Sequence, residues 1–284
     1  MNKINISDRN GRAFEYIIVK IISKKNNSAI LNESAKNHQN RDREKFNSCP
    51  SELQNDFNSA SHKVVKWIGE ELINPNKIFM VECPSDNDAK KGDVTDIRLI
   101  QDKQYFNLSI KSNHEAYKHQ RPETVMNQLG YKKETSQDKT YRSALKTIKL
   151  DFLKEVVSRR ISLFNQFSLE EKNKLLYAPV IRLIHSRYIE FGEKELAAKN
   201  LFRFLVGNND FHKIIRKEKS ISITHISADA REVKFFSSEL DEKPNYLNLR
   251  FSNGLSLRLR LHTASSRITK SVSLKFDTQK TKLR

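Results

Sequence analysis

Residues 91–121 read KGDVTDIRLIQDKQYFNLSIKSNHEAYKHQR, and the fold is decided there. Asp96 to Ile100 has the apolar content of a short strand. Tyr105 to Lys111 alternates more strictly, with Phe106, Leu108 and Ile110 on one face and Tyr105, Asn107, Ser109 and Lys111 on the other. The polar Gln101-Asp102-Lys103-Gln104 between them is a hairpin connection of ordinary length. Antiparallel pairing then brings Asp93 or Asp96, at the start of the first strand, close to Ser109 and Lys111, at the end of the second.

A carboxylate and a lysine at adjacent strand ends can hold a hard divalent cation and set a positive charge beside a phosphodiester. Mg²⁺ takes oxygen ligands, and a lysine ammonium is a compact point charge. Alone, such a pattern is a common accident, and its ordinary reading is a solvated hairpin. It resembles the PD-(D/E)xK nuclease motif, with Ser109-Ile110-Lys111 as the second half. Ser109 stands where that motif usually has a second carboxylate, so a further ligand comes from elsewhere or is a water held by the serine.

The stretch after the lysine, Ser112-Asn113-His114-Glu115-Ala116-Tyr117-Lys118-His119-Gln120-Arg121-Pro122, resembles the signature of the HaeIII-type family of restriction endonucleases. Gly11-Arg12-Ala13-Phe14-Glu15 near the start is similar to it as well. So are Leu261-His262-Thr263-Ala264-Ser265-Ser266 and Ser273-Leu274-Lys275-Phe276-Asp277 near the end. The resemblance implies a Mg²⁺-dependent type II enzyme that cuts both strands of duplex DNA at a short palindrome of the GGCC type. It implies 5′-phosphate and 3′-hydroxyl ends and a partner DNA methyltransferase of the same specificity. A palindromic target in turn suggests a homodimer at the time of cutting, with sequential cutting by a monomer as the alternative.

Working outward, the composition is that of a polyanion binder. Among 284 residues, Lys and Arg outnumber Asp and Glu by 52 to 34, a formal net charge of +18. Nucleic acid is the default partner for such a balance. No run approaches the ~18 apolar residues of a membrane span, and no secretory apolar segment opens the chain, so a cytoplasmic protein is expected. The two cysteines, Cys49 and Cys83, are far apart and suggest neither a zinc site nor a disulfide framework.

A first helix is expected from Asp8 or Asn10 to about Ser23, buried through Phe14, Ile17, Ile18, Ile21 and Ile22. Glu15 flanks that stripe. A carboxylate against an apolar face escapes to solvent or is paired or bound to a cation; similarity to nucleases whose first helix carries an acid to the metal makes it a supporting ligand. Residues 24–50 are polar and read as a loop or a mobile insertion. A helix follows from Ser51 to Leu72, then a strand from Ile78 to Cys83. Ser112 and Glu115 have capping-box spacing, so a short helix is expected with His114, Lys118 and Arg121 on one DNA-facing side. These histidines lack the second ligand pair of a ββα-metal site. Residues 138–206 read as helices, with a capping box at Ser168 to Glu171 and a stop at Gly207.

The period changes to two near the end. A three-residue Ser252-Asn253-Gly254 loop pairs Leu249 with Leu257 and Phe251 with Leu255, whereas a two-residue loop would mix apolar and charged side chains on one face. The chosen register gathers Arg250, Arg258, Arg260 and His262 into a basic ribbon suited to DNA.

The expected fold class is α/β, a restriction-endonuclease-like mixed β-sheet core flanked by helices, with a helical middle region and a C-terminal antiparallel β-rich region. Residues 1–135 are expected to form the catalytic core. Residues 136–284 are expected to contribute DNA binding, packed on that core as one unit. Asp93, with Asp96 as alternate or second ligand and Glu15 in support, is expected to bind Mg²⁺, while Lys111 orients and helps deprotonate the attacking water. The alternatives are a non-catalytic DNA-binding protein and a structure-specific repair nuclease.

Overall fold

The structure, a computed structural model, describes residues 6–85, 93–113, 119–218, 220–269 and 271–281. Along the chain come α1 (Ile6–Lys25), β1 (Ala29–Leu31), α2 (Glu33–Asn47), α3 (Ser51–Glu71), β2 (Phe79–Glu82), β3 (Ile97–Gln101) and β4 (Gln104–Ser112). After β5 (His119–Gln120) the chain is helical, through α4 (Val125–Gln128), α5 (Ser136–Ser158), α6 (Leu169–Lys172), α7 (Ala178–Gly192) and α8 (Glu195–Val206). The remaining strands are β6 (Phe211–Lys217), β7 (Ser220–Ile226), β8 (Phe236–Leu240), β9 (Tyr246–Phe251), β10 (Ser256–Thr263) and β11 (Leu274–Lys280).

The chain divides into two compact units, Met1–Glu115 with Gly207–Asp229, and Ala116–Val206 with Ala230–Arg284. A single division near residue 135 was expected. The reason for the difference is topological: β4 pairs with β6 in parallel, and parallel neighbours need a long crossover. Here the excursion is the whole helical stretch, after which β6 and β7 return to complete the first sheet.

That first sheet has six strands in the order β1-β2-β3-β4-β6-β7. It is mixed, with β1 parallel to β2 and β4 parallel to β6. Its apolar side, with Val81, Leu99, Leu108, Ile110 and Ile214, shares one buried core with Phe14, Ile18 and Ile22 of α1 and Phe57 and Val64 of α3. The β3–β4 hairpin forms as expected, with Ile97 opposite Leu108 and Leu99 opposite Phe106. Its connection is tighter than expected. Gln101 and Gln104 are themselves a pair, and Asp102 and Lys103 turn the chain at φ of 49° and 65°, the left-handed conformations of a two-residue hairpin loop.

Two expectations are corrected. Residues 24–50 are not a loop: β1 and α2 lie there. Asn32 caps α2 by accepting the Ala35 N–H at 2.9 Å, and Ala35, Asp42 and Phe46 are its buried positions. So few apolar contacts suffice because α2 packs along α1. The second correction concerns the helix expected after Ser112. Residues 114–118 lie outside the described ones, but His119–Gln120 is a strand paired with β11, and Arg121 is extended at φ −104° and ψ 129°. A helical face through Arg121 therefore does not form, as expected of a residue preceding proline.

The second unit carries an antiparallel sheet in the order β5-β11-β10-β9-β8. Leu249 faces Leu257 as expected, and Gly254 closes that hairpin at φ +84°, a conformation that favours glycine. Leu247, Leu249, Leu257, Leu259, Leu261 and Phe276 are buried beneath it. The capping box at Ser168 and Glu171 forms with both of its reciprocal bonds.

Candidate active site

Asp96 stands one residue before β3, its backbone N–H donating to the Leu108 carbonyl at 2.8 Å. Its Oδ2 accepts from the Ile110 N–H at 2.6 Å, from Lys111 Nζ at 3.0 Å and from Ser109 Oγ at 3.3 Å. The end of β4 thus presents an amide, an ammonium and a hydroxyl to one oxygen. Among the described residues, no donor reaches Oδ1.

Glu15 of α1 belongs to the same group. Burial first, and the Asp96 carboxylate second, push its pKa up to about 8, although Lys111 and Arg12 pull it down. Lys111 shows the complementary effect. Burial works against its ammonium, but Asp96 and Glu15 outweigh this and hold its pKa above the ordinary lysine value. The same negative potential reaches Cys83, whose thiol is pushed up to about 12 by burial and then by Glu15, Asp42 and Asp96. A thiol held there is protonated and a poor nucleophile.

Asp93 is placed differently. Its Oδ1 accepts the Thr95 N–H at 3.0 Å, and its Oδ2 takes a close hydrogen bond from Arg98. Arg98 on β3 also donates to Asn107 Oδ1 at 2.7 Å and to Glu82 Oε2 at 3.2 Å. The hairpin therefore brings Asp96, and not Asp93, to Lys111; Asp93 is tied into a neighbouring network by an arginine.

Two further basic residues come from β6 and were not singled out in the sequence. Lys213 is buried and lies opposite Ser109 in the parallel register. Burial, and then the charge of Lys111, bring its pKa down to about 7. Arg216 is opposite Ser112. Only the parallel β4–β6 pairing reveals them, and no local pattern reports it.

Among the described residues no cluster of three His, Cys, Asp or Glu side chains could hold a metal ion. The carboxylates available near Lys111 are Glu15 and Asp96. A pair of this kind fits a hard cation that completes its shell with water and substrate oxygens. The raised pKa of Glu15 records its burial first and the Asp96 charge second, and the charge of a divalent cation bound between the two acids would offset both.

Of the residues expected to touch DNA, the described ones, Arg121, Arg250, Arg258, Arg260 and His262, all belong to the second unit. His114 and Lys118 lie outside the described residues. Arg121 donates to Ser273 Oγ at 2.8 Å and so binds the start of β11. On the second sheet, Arg258 donates to Asp241 at 2.7 Å and lies 4.2 Å from the Tyr246 ring centroid. Arg260 donates to Asp277 Oδ2 at 2.8 Å, and His262 Nε2 is 3.1 Å from the same oxygen. The ribbon expected to be basic is thus interleaved with acids, while Arg250 is exposed.

A mixed sheet backed by helices, with acidic side chains gathered on a strand-end lysine, is the architecture of a restriction-endonuclease-like nuclease. A family model described as HaeIII restriction endonuclease matches residues 11–232, and the chain belongs to that family. The match takes in Gly11–Glu15, the β3–β4 hairpin and both strands that complete the first sheet. The similar-looking stretch at 261–277 lies beyond it. No curated protein and no solved structure matches the chain. The family is one of site-specific nucleases, so DNA is the partner. No helix among the described residues is long and apolar enough to cross a membrane.

Proposed function

We propose that this restriction endonuclease is a Mg²⁺-dependent type II enzyme that cuts both strands of a short palindrome of the GGCC type, leaving 5′-phosphate and 3′-hydroxyl ends. The observation that carries this reading is the approach of Lys111 Nζ to Asp96 Oδ2 at 3.0 Å, with the half-buried Glu15 of α1 electrostatically coupled to both. Glu15 and Asp96 would hold the ion. When bound, Mg²⁺ supplies charge stabilisation at the phosphoryl oxygens and acidifies a bound water.

The protein's own groups do the rest. The raised pKa of Lys111 keeps it an ammonium at neutral pH. Its part is therefore to orient the phosphate and attacking water by charge rather than to accept a proton, acting as a preorganised group where charge develops. Ser109 directs its hydroxyl to Asp96 and so helps fix the carboxylate where the family motif usually has another acid. Asp93, held by Arg98, anchors the entry to β3. The basic balance of the chain draws it to DNA, and a homodimer places one such site on each strand of a palindrome.

Incubation of the purified protein with plasmid DNA in Mg²⁺ or in EDTA tests this. Discrete, Mg²⁺-dependent fragments ending within GGCC are expected. A smear would mean a general or structure-specific nuclease, and absence of cutting a DNA-binding protein without catalysis.

A further inference from the structure

Arg216 is 2% exposed, at the end of β6 where the chain could have placed a leucine. Its Nη2 donates to Asp56 Oδ2 on α3 at 2.6 Å and its Nη1 to Ser112 Oγ at 3.2 Å. The guanidinium carbon lies 4.8 Å from the centroid of Phe57. Its Nε is buried and has no hydrogen-bond partner among the described residues. Burying a guanidinium against one carboxylate while leaving a donor unmatched is a poor way to gain stability, and an apolar side chain of similar volume is often as good or better. Such a group is best understood by what it fixes.

What it fixes lies on both sides of the active site. Ser112 follows Lys111 directly, and the next N–H, that of Asn113, donates to the Arg216 carbonyl at 2.7 Å. Asn113 is at φ 56°, so the chain turns sharply as soon as it leaves the lysine. On the other side, Phe57 stacks on Phe14 with ring centroids 5.4 Å apart, and Phe14 precedes Glu15 on α1. Lys111 and Glu15 come from β4 and α1. Arg216 is bonded to the strand that carries one and packed on the aromatic pair that carries the other.

We propose that Arg216 is a positioning residue that sets Lys111 and Glu15 relative to each other. This rests on the nuclease reading above. A displacement of about 1 Å at a reacting centre can cost on the order of 100-fold in rate without altering substrate affinity. Arg216 therefore acts on turnover and leaves DNA binding alone, whereas a merely structural residue would act on stability.

The test uses Arg216→Met and Arg216→Lys in the full-length protein. Neither can hold Asp56 and Ser112 together over the Phe57 face. Two readings are needed for each: amide hydrogen exchange along β4 without DNA, and kcat and KM for plasmid cutting in Mg²⁺. Exchange at Ser112 and Asn113 should rise at least ~10-fold with Phe106 to Leu108 unchanged, and kcat should fall at least ~10-fold with KM unchanged, a loss that Asp56→Asn reproduces without adding to it. Unchanged exchange overturns the proposal whether or not the protein is a nuclease. Raised exchange with wild-type kcat overturns it too, and so does a loss expressed in KM or in global unfolding of the Lys variant. If the wild type does not cut at all while exchange responds as expected, the nuclease reading fails and the strand-end contact stands.

Discussion

Lys111 Nζ and the Ile110 N–H meet on the same oxygen of Asp96, at 3.0 and 2.6 Å. The backbone bond fixes the carboxylate to β4, and the ammonium is then fixed to the carboxylate. The lysine charge is thereby held at one point before any substrate arrives. Replacing Lys111 with Ala should lower cleavage at least ~100-fold, the scale for one preorganised electrostatic group, and leave specific DNA binding in place. Cleavage and gel-shift assays on one preparation check this, and near-normal cutting would remove Lys111 from the site.

The two aspartates of the hairpin should part company. Asp96→Asn weakens the hold on Lys111 and removes a carboxylate charge beside Glu15, so cleavage should be lost. Asp93→Asn loosens a contact with Arg98, which Glu82 and Asn107 continue to hold, so cleavage should fall by less than ~10-fold. Single-turnover rates for both variants decide it. Full activity in Asp96→Asn together with an inactive Asp93→Asn would reverse the assignment.

Glu15 supplies a pH dependence whose sign can be worked out. Its carboxyl is pushed up to about 8 in the folded protein, from the 4.5 of an ordinary glutamate. Between these values the folded state binds the extra proton, so stability falls as pH rises through that window and is greatest toward its acid end. Glu15→Gln removes the contribution. In EDTA at pH 8 the variant should melt at least ~2 °C above the wild type, with the two converging toward pH 5. Its Mg²⁺-dependent cutting should be lost. Melting curves across pH 5 to 9 test the first statement, and equal slopes for the two proteins would show that Glu15 is not enclosed with Asp96.

What could be read in the sequence follows the range of the interactions. The β3–β4 hairpin and the Leu249–Leu257 register were legible because alternation and loop length act within a few residues. The helix at 33–47 was not, because its polar surface hides a buried face of only Ala35, Asp42 and Phe46. Glu15 entered as a supporting ligand through family resemblance, since nothing in its helix says what the apolar stripe will face. Arg216 and Ser112 are separated by 104 residues, and a contact at that distance leaves no periodic trace. The acids that pair the C-terminal arginines were visible as residues, but their pairing depends on β10–β11 and β8–β9 neighbours that local alternation does not specify.

That pairing alters what the ribbon can do. Arg260 and His262 share the Asp277 carboxylate, so the Arg260 fork is held in one orientation, which suits bidentate reading of guanine O6 and N7 more than contact with a mobile phosphate. If this face reads bases, Arg260→Ala should cost ~1–3 kcal/mol on a cognate duplex and little on a scrambled one. Asp277→Asn should act in the other direction on the scrambled duplex. Removing a negative charge strengthens non-specific phosphate binding and steepens its salt dependence by about one unit, while the freed fork lowers the cognate-to-scrambled ratio. Affinities of both variants for both duplexes across a salt series separate these terms. Equal losses on the two duplexes for Arg260→Ala, with an unchanged ratio in Asp277→Asn, would mean that the ribbon only touches phosphate and that the bases are read elsewhere.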